Sequence, residues 1–248
     1  MSSHFTPATL KFLRGLARHN DREWFEPRRP VFEAELKAPM LALIEELNHG
    51  LAAFAPDHIR PPHKTMFRFY RDTRFSHDKR PYKDHIAAWF ARRGMEKTSG
   101  AGFYFHLSAK ELLIAIGVFM PQPEQLLAIR RAIADNPAEY RALLKKLMKP
   151  SGSKVPFTPV EPDALKRVPK GFSADHPAAD LLVARNFGVH VILPTDVALS
   201  PTLGKEILQR FCAAAPLTEF LNNAINASPN TTSSPRETPL DKPRPRLF

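Results

Sequence analysis

GFYFHLSAKELLIAIGVFM, residues 102–120, decides the fold. Two apolar runs, GFYFHLSA and ELLIAIGVFM, meet across Ala109-Lys110. Each has the length of a strand, and a junction this short suits a tight hairpin. Upstream, HIAAWFA (85–91) reads as a further strand. The stretch MEKTS, flanked by Gly94, Gly100 and Gly102, reads as a mobile hairpin loop rather than a phosphate cradle. Before it, MFRFYRD (66–72) alternates: Phe67 and Phe69 point one way, Arg68 and Tyr70 the other, the pattern of a half-buried strand. Downstream, FGVHVILP (187–194) is strand-like. Neighbouring strands with short links predict an antiparallel sheet.

Helices frame the sheet. Thr6-Pro7 reads as an N-cap and first helical residue, followed by Leu10, Leu13 and Leu16 on one face. Asp21 caps a short turn carrying Trp24 and Phe25. From Phe32 to Phe54 the apolar residues step by three or four, with Pro39 expected to kink that helix. Further helices are predicted over 123–134 and 137–146, over DHPAADLLVARN with Asp175 as cap, and from SPTLG onward with Ser200 as cap. KPSGSKVPFTPVEP (149–162) reads as a loop. The predicted class is α+β, an antiparallel sheet of about four or more strands packed against N- and C-terminal helices. It forms one domain over 1–227. Residues 228–248, with five prolines and few apolar side chains, are expected to be a disordered tail.

The 248 residues carry a formal net charge of +11. Between residues 60 and 100 stand eleven lysines and arginines against four acids, so about one sixth of the chain holds an excess of seven. Such a concentration attracts anionic partners, although a solvated basic face is the commoner reason for one. No apolar run reaches the 18 or more residues of a membrane span, and MSSHFTPATLKFLRG lacks the pattern of a secretory signal. A cytoplasmic protein without membrane contact is expected. The single cysteine, Cys212, excludes an internal disulfide and reads as a small core residue. Trp24, Phe25 and Trp89 read as core anchors.

The densest chemistry is RDTRFSHDKRPYK, residues 71–83. Arg71, Arg74, Lys79 and Lys83 are candidate contacts to a small anionic ligand, phosphorylated or carboxylated. Tyr82 can add a hydrogen bond. Asp72 and Asp78 orient the cations, or one serves as a general base. These aspartates and Tyr82 are the candidate catalytic groups, without a reaction to assign to them. The alternative is structural: Arg71 and Arg74 pair with Asp72 and Asp78 and pin the loop. His63, His77, His85 and His106 lie near the predicted sheet, but no metal-binding spacing is present, and neither metal nor cofactor is expected. No Gly-rich nucleotide loop or GxSxG occurs. Phe67, Phe69, Tyr70, Phe75 and Tyr82 interleave with the cations, so single-stranded nucleic acid is a second, weaker class. A non-catalytic protein-interaction module is a third. Nothing in the sequence fixes the oligomeric state.

YRDTRFSHDKRPYKDH (70–85) resembles the signature of domain-of-unknown-function family 2461, an uncharacterised conserved family of bacteria and fungi. FLRGLARHNDREWFEPRRPVFE (12–33) and LKRVPKGFSADHPAADLLVARNF (165–187) are similar to its N- and C-terminal segments. The resemblance covers about Phe5 to Phe220. Matching positions include Trp24, Phe25, Arg29, Arg71, Asp72, Arg74, Phe75, Asp78, Lys79, Pro81, Tyr82 and Lys83. Phe32 stands where the family pattern has Tyr, and Pro27 and Pro30 bracket Arg29. The resemblance implies no reaction, because the family carries no established activity.

Overall fold

A computed structural model describes residues 3–74, 76–95, 100–149, 155–161 and 163–227. The expected tail over 228–248, Phe75 and most of the MEKTS stretch lie outside the described residues. The protein is α+β. Strands β1 (His85–Phe90), β2 (Gly102–Ser108), β3 (Leu112–Val118), β4 (Thr158–Pro159) and β5 (Phe187–Leu193) form one sheet in the order β1-β2-β3-β5-β4. Every neighbouring pair is antiparallel. The hairpin between β2 and β3 turns at Ala109-Lys110, where Ser108 Oγ accepts from the Lys110 and Glu111 N–H groups.

Helix α1 (Pro7–Arg18) starts at Thr6, whose hydroxyl accepts from Ala8 N–H while Thr9 Oγ1 accepts from Thr6 N–H. Asp21 caps α2 (Arg22–Phe25) by accepting from Trp24 N–H at 2.7 Å. The chain continues through α3 (Arg29–Phe32) and a π-helical turn, Glu33–Lys37, into α4 (Ala38–Leu51). Pro39 sits at the start of α4 and has no N–H to offer, so the wide turn just before it absorbs the expected irregularity. Short α5 (Pro62–Thr65) leads toward the sheet; α6 (Pro123–Asp135), α7 (Pro137–Met148), α8 (Ala179–Leu182) and α9 (Leu203–Asn226) follow.

Helix α9 packs on β3 and touches α4, α6 and α7. Side chains alternate across a strand, so each strand gives one face to this helical layer. Phe90, Phe103, Phe105, Ile114, Ile116 and Val189 belong to the core beneath α9, together with its Phe211, Leu217 and Leu221. Each such side chain, fully buried, contributes roughly 1.5–3 kcal/mol before entropy is counted. His85, Trp89, Tyr104, His106 and His190 fall on the opposite face by the same alternation. Gly102, Gly117 and Gly188 pair side by side across β2, β3 and β5. Gly117 has φ +147°, and a Cβ on Gly102 would lie 2.8 Å from Trp89 Cζ2, so the indole lies directly over that glycine.

Several expectations are corrected. MFRFYRD is not a strand of the sheet. It makes single bridges, Met66 to Ala88 and Tyr70 to Tyr82, with a bend at Phe69 between them. The bend turns Phe69 into the core with Phe25 and Phe32, while Phe67 stands against Tyr104 on the open face, so the two do not share a side. The helix expected from Asp175 shrinks to the four residues of α8, with no side-chain cap. Ser200 does not cap α9; it accepts from Thr202 N–H in the preceding turn, and the helix starts at Leu203. The loop over 149–162 supplies the edge strand β4. Cys212 is exposed, because α9 turns that position away from the core. Trp89 is buried at 3%, but on the open sheet face and outside the main core.

Candidate functional site

The segment from Met66 to Asp84 folds back on itself before β1 begins. Phe67 N–H donates to Ala87 O, which ties its first part to β1. Arg71 N–H donates to Pro81 O and Lys83 N–H to Phe69 O, each at 2.9 Å, closing a narrow neck. The neck is fixed from the N-terminal helices. Asn20, just past α1, donates to Tyr82 O and accepts from Tyr82 N–H, both at 3.0 Å. The Tyr82 ring stacks on Phe25 with centroids 4.1 Å apart. Two polar chain segments are thus held by backbone-directed hydrogen bonds and one aromatic stack, which is how a charged loop acquires a fixed position.

Beyond the neck the charges pair. Asp78 accepts from Arg71 Nη1 at 2.5 Å and from Arg80 Nη2 at 2.7 Å. Arg74 grips Asp72 through Nε and Nη2, at 3.0 and 2.8 Å. The guanidinium bonds hold the Asp72 carboxyl down at about 2, and those from Arg80 and then Arg71 hold Asp78 well below the usual carboxylate range. Both aspartates are therefore ionised and committed to arginine. Lys79 Nζ donates to Thr73 O at 3.1 Å on the exposed side. Lys83 lies with Nζ 4.6 Å from the centre of the Phe67 ring.

A cavity of about 760 Å³ opens between this loop, the open face of β1 and β2, and the β2–β3 hairpin. Arg71, Asp72, Asp78, Tyr82 and Lys83 line it; Arg74 and Lys79 do not. The sheet adds His85, Trp89, Tyr104 and His106, the hairpin adds Lys110 and Glu111, and Phe67, Arg80, Asp84 and Phe119 complete the principal lining. Loop and sheet residues far apart in sequence meet here. Only register shows that His85, His106 and Tyr104 share one face, so the sequence pattern over 71–83 gives no sign of them.

Two imidazoles form the centre of the cavity floor. The His85 and His106 rings lie 4.7 Å apart. His85 Nδ1 donates to Asp84 Oδ1 at 3.0 Å, a bond that leads in holding the Asp84 carboxyl down at about 2. His106 is almost fully buried. Burial, reinforced by charge on His85, pushes its imidazole down to about 3, so it is neutral at ordinary pH. Its Nδ1 then accepts from the Tyr104 hydroxyl at 3.1 Å, and its Nε2–H faces Glu111 Oε1 at 3.4 Å. Burial also raises the Tyr104 hydroxyl above its usual range and keeps it protonated. Tyr82 Oη and Trp89 Nε1 are buried without a hydrogen-bond partner among the described residues. His63 and His77 are exposed and outside the cavity lining. Among the described residues no group of three or more His, Cys, Asp or Glu is placed to hold a metal ion. The aromatics that interleave with the cations diverge: Phe69 and Tyr82 are buried, Phe67 faces the cavity, and Tyr70 is 46% exposed.

The fold and this site define an α+β protein with a charged loop closed over the open face of a five-stranded antiparallel sheet. Residues 8–220 match the family described as conserved hypothetical protein (DUF2461), and the chain belongs to that family. No curated protein matches it. No helix among the described residues is long and apolar enough to cross a membrane.

Proposed function

We propose that the protein binds a small anionic ligand, phosphorylated or carboxylated, in the cavity beneath the 71–84 loop. The observation that carries this reading is the sharing of one carboxylate, Asp78, by two guanidiniums, Arg71 and Arg80, both in the cavity lining. One negative charge cannot neutralise two cations, so the pairing leaves an excess positive charge held in place. Asp72 does not cancel it, because Arg74 claims Asp72 from outside the cavity. Lys83 and Lys110 line the same space and are matched in number by Asp84 and Glu111, which face the two imidazoles. A fixed guanidinium is suited to the oxygens of a phosphate or carboxylate. Arg71, Lys83 and Arg80 are the proposed anion contacts, with Arg74 and Lys79 acting on the loop from its outer side.

The experiment is calorimetric titration with inorganic phosphate, ribose 5-phosphate and citrate. At least one binds the wild type, and binding weakens roughly tenfold or more in Lys83→Ala and in Arg80→Ala, the loss of one charge-assisted contact. Lys79→Ala leaves it unchanged. Absence of binding by all three anions, or equal loss in Lys79→Ala, overturns the proposal.

A further inference from the structure

The cavity is chemically divided, and its far end is aromatic. Phe67 meets Tyr104 with ring centroids 6.1 Å apart, Tyr104 meets Trp89 at 6.5 Å, and Trp89 meets Phe119 at 5.9 Å. These four rings come from the folded-back segment, β2, β1 and the end of β3, so they are assembled by the fold rather than by one helix or strand. Trp89 and Tyr104 are direct cross-strand partners, and so are His85 and Ser108 at the charged end. The two pairs lie four residue steps apart along β1, so these rungs of the cavity floor are offset by roughly 13 Å at about 3.3 Å per residue.

We infer that the ligand carries a planar ring as well as its anionic group, the ring lying on the aromatic end of the cavity. This deepens the anion-binding reading above and rests on it. A cavity of about 760 Å³ lies within the range of sites that enclose small organic ligands, and far exceeds what a bare phosphate or a short carboxylate fills. An inorganic anion alone would leave the aromatic end filled with water against apolar rings, which is unfavourable. Aromatic walls favour flat, polarisable ring faces, which stack on them at low entropic cost. Lys83 lies over the Phe67 ring, beside the aromatic end, and so can hold an anion while the attached ring lies against Tyr104.

The test uses a Trp24→Phe protein, in which Trp89 is the remaining tryptophan. Adenosine 5′-monophosphate, phenyl phosphate, hexyl phosphate, ribose 5-phosphate and inorganic phosphate are titrated by calorimetry and by Trp89 fluorescence. The two ring-bearing phosphates are expected to bind roughly tenfold or more tighter than ribose 5-phosphate and to change Trp89 emission, the size set by stacking of one ring. Phe67→Ala and Tyr104→Ala remove that preference, so that in each variant the ring-bearing phosphates bind no tighter than ribose 5-phosphate. Either variant alone suffices should the other fail to fold by thermal melting. Hexyl phosphate or ribose 5-phosphate binding as tightly as both ring phosphates overturns the inference while leaving the anion site intact. Retention of the ring preference in a folded Phe67→Ala or Tyr104→Ala protein also overturns it. Failure of every phosphate, inorganic phosphate included, overturns the anion-binding reading itself and this inference with it.

Discussion

Acidification probes His106 directly, because two opposed effects meet at its ring. Glu111 Oε1, 3.4 Å from Nε2, favours the imidazolium. Burial and the neighbouring His85 favour the neutral form and prevail, putting the folded value at about 3 against 6.5 for the unfolded chain. Between these values the unfolded chain takes up a proton that the folded protein does not. The contribution to stability is therefore complete above the unfolded pKa and is lost as pH falls toward the folded one. The loss is about 1.4 kcal/mol per pH unit, so that roughly 2 to 3 kcal/mol disappears between pH ~6.5 and ~4.5. For a protein of this size that corresponds to a fall of about 5–10 °C in Tm from this residue alone. The perturbation is His106→Gln, whose amide can still meet Tyr104 and Glu111 but does not titrate. Urea unfolding of both proteins across that range isolates the residue, since the other titrations are common to both. The variant is expected to lose stability less steeply, by about one proton's worth of slope. Parallel pH profiles would refute the depressed value for His106, and a steeper loss in the variant would show that the ion pair with Glu111 outweighs burial.

Two further outcomes follow from the loop and its neck. Arg71→Ala lowers the Tm by a measurable few degrees, because Asp78 loses one of its two guanidiniums in a half-buried setting, whereas exposed Lys79→Ala leaves it unchanged; differential scanning fluorimetry of the two variants side by side decides, and equal shifts would refute the assignment. Tyr82→Phe raises stability by up to about 1 kcal/mol, since the ring stack on Phe25 survives and a buried hydroxyl without a partner is removed. A clear destabilisation in urea melts would mean that Tyr82 Oη makes a bond in solution.

The sheet is legible because β2 and β3 are apolar runs of strand length on the two sides of a recognisable turn and β5 is a third such run. Residues 66–72 carry a period-two alternation, yet the bend at Phe69 sends successive aromatics to different layers. That bend is imposed by the Tyr82 neck and the Asn20 bonds, neither of which leaves a local signal. The family signature marked the charged loop, and Arg71, Asp72, Asp78, Tyr82 and Lys83 do meet at one cavity. Arg74 and Lys79 carry the same charge in the same stretch and point elsewhere, because composition does not encode which side of a turn a residue occupies. His85, His106, Tyr104 and Glu111 come together only through strand register and the hairpin. Trp89 reads as core by type, and register alone puts it on the open face. The expected caps of α8 and α9 fail because Asp175 and Ser200 lie in turns ahead of the helices, where Asp175 N–H donates to Ser173 Oγ and Ser200 Oγ accepts from Thr202 N–H.

The three glycines paired across β2, β3 and β5 also have a bearing on how this cavity can change. The indole of Trp89 rests where a side chain at Gly102 would stand, so position 102 works as a spacer that sets the depth of the aromatic floor. A methyl group there would also meet the Phe90 carbonyl oxygen at 2.6 Å, so it would displace the strand backbone together with the indole. The depth of the aromatic floor is thus fixed by a bare backbone position in the sheet, apart from the charged side chains of the loop above it.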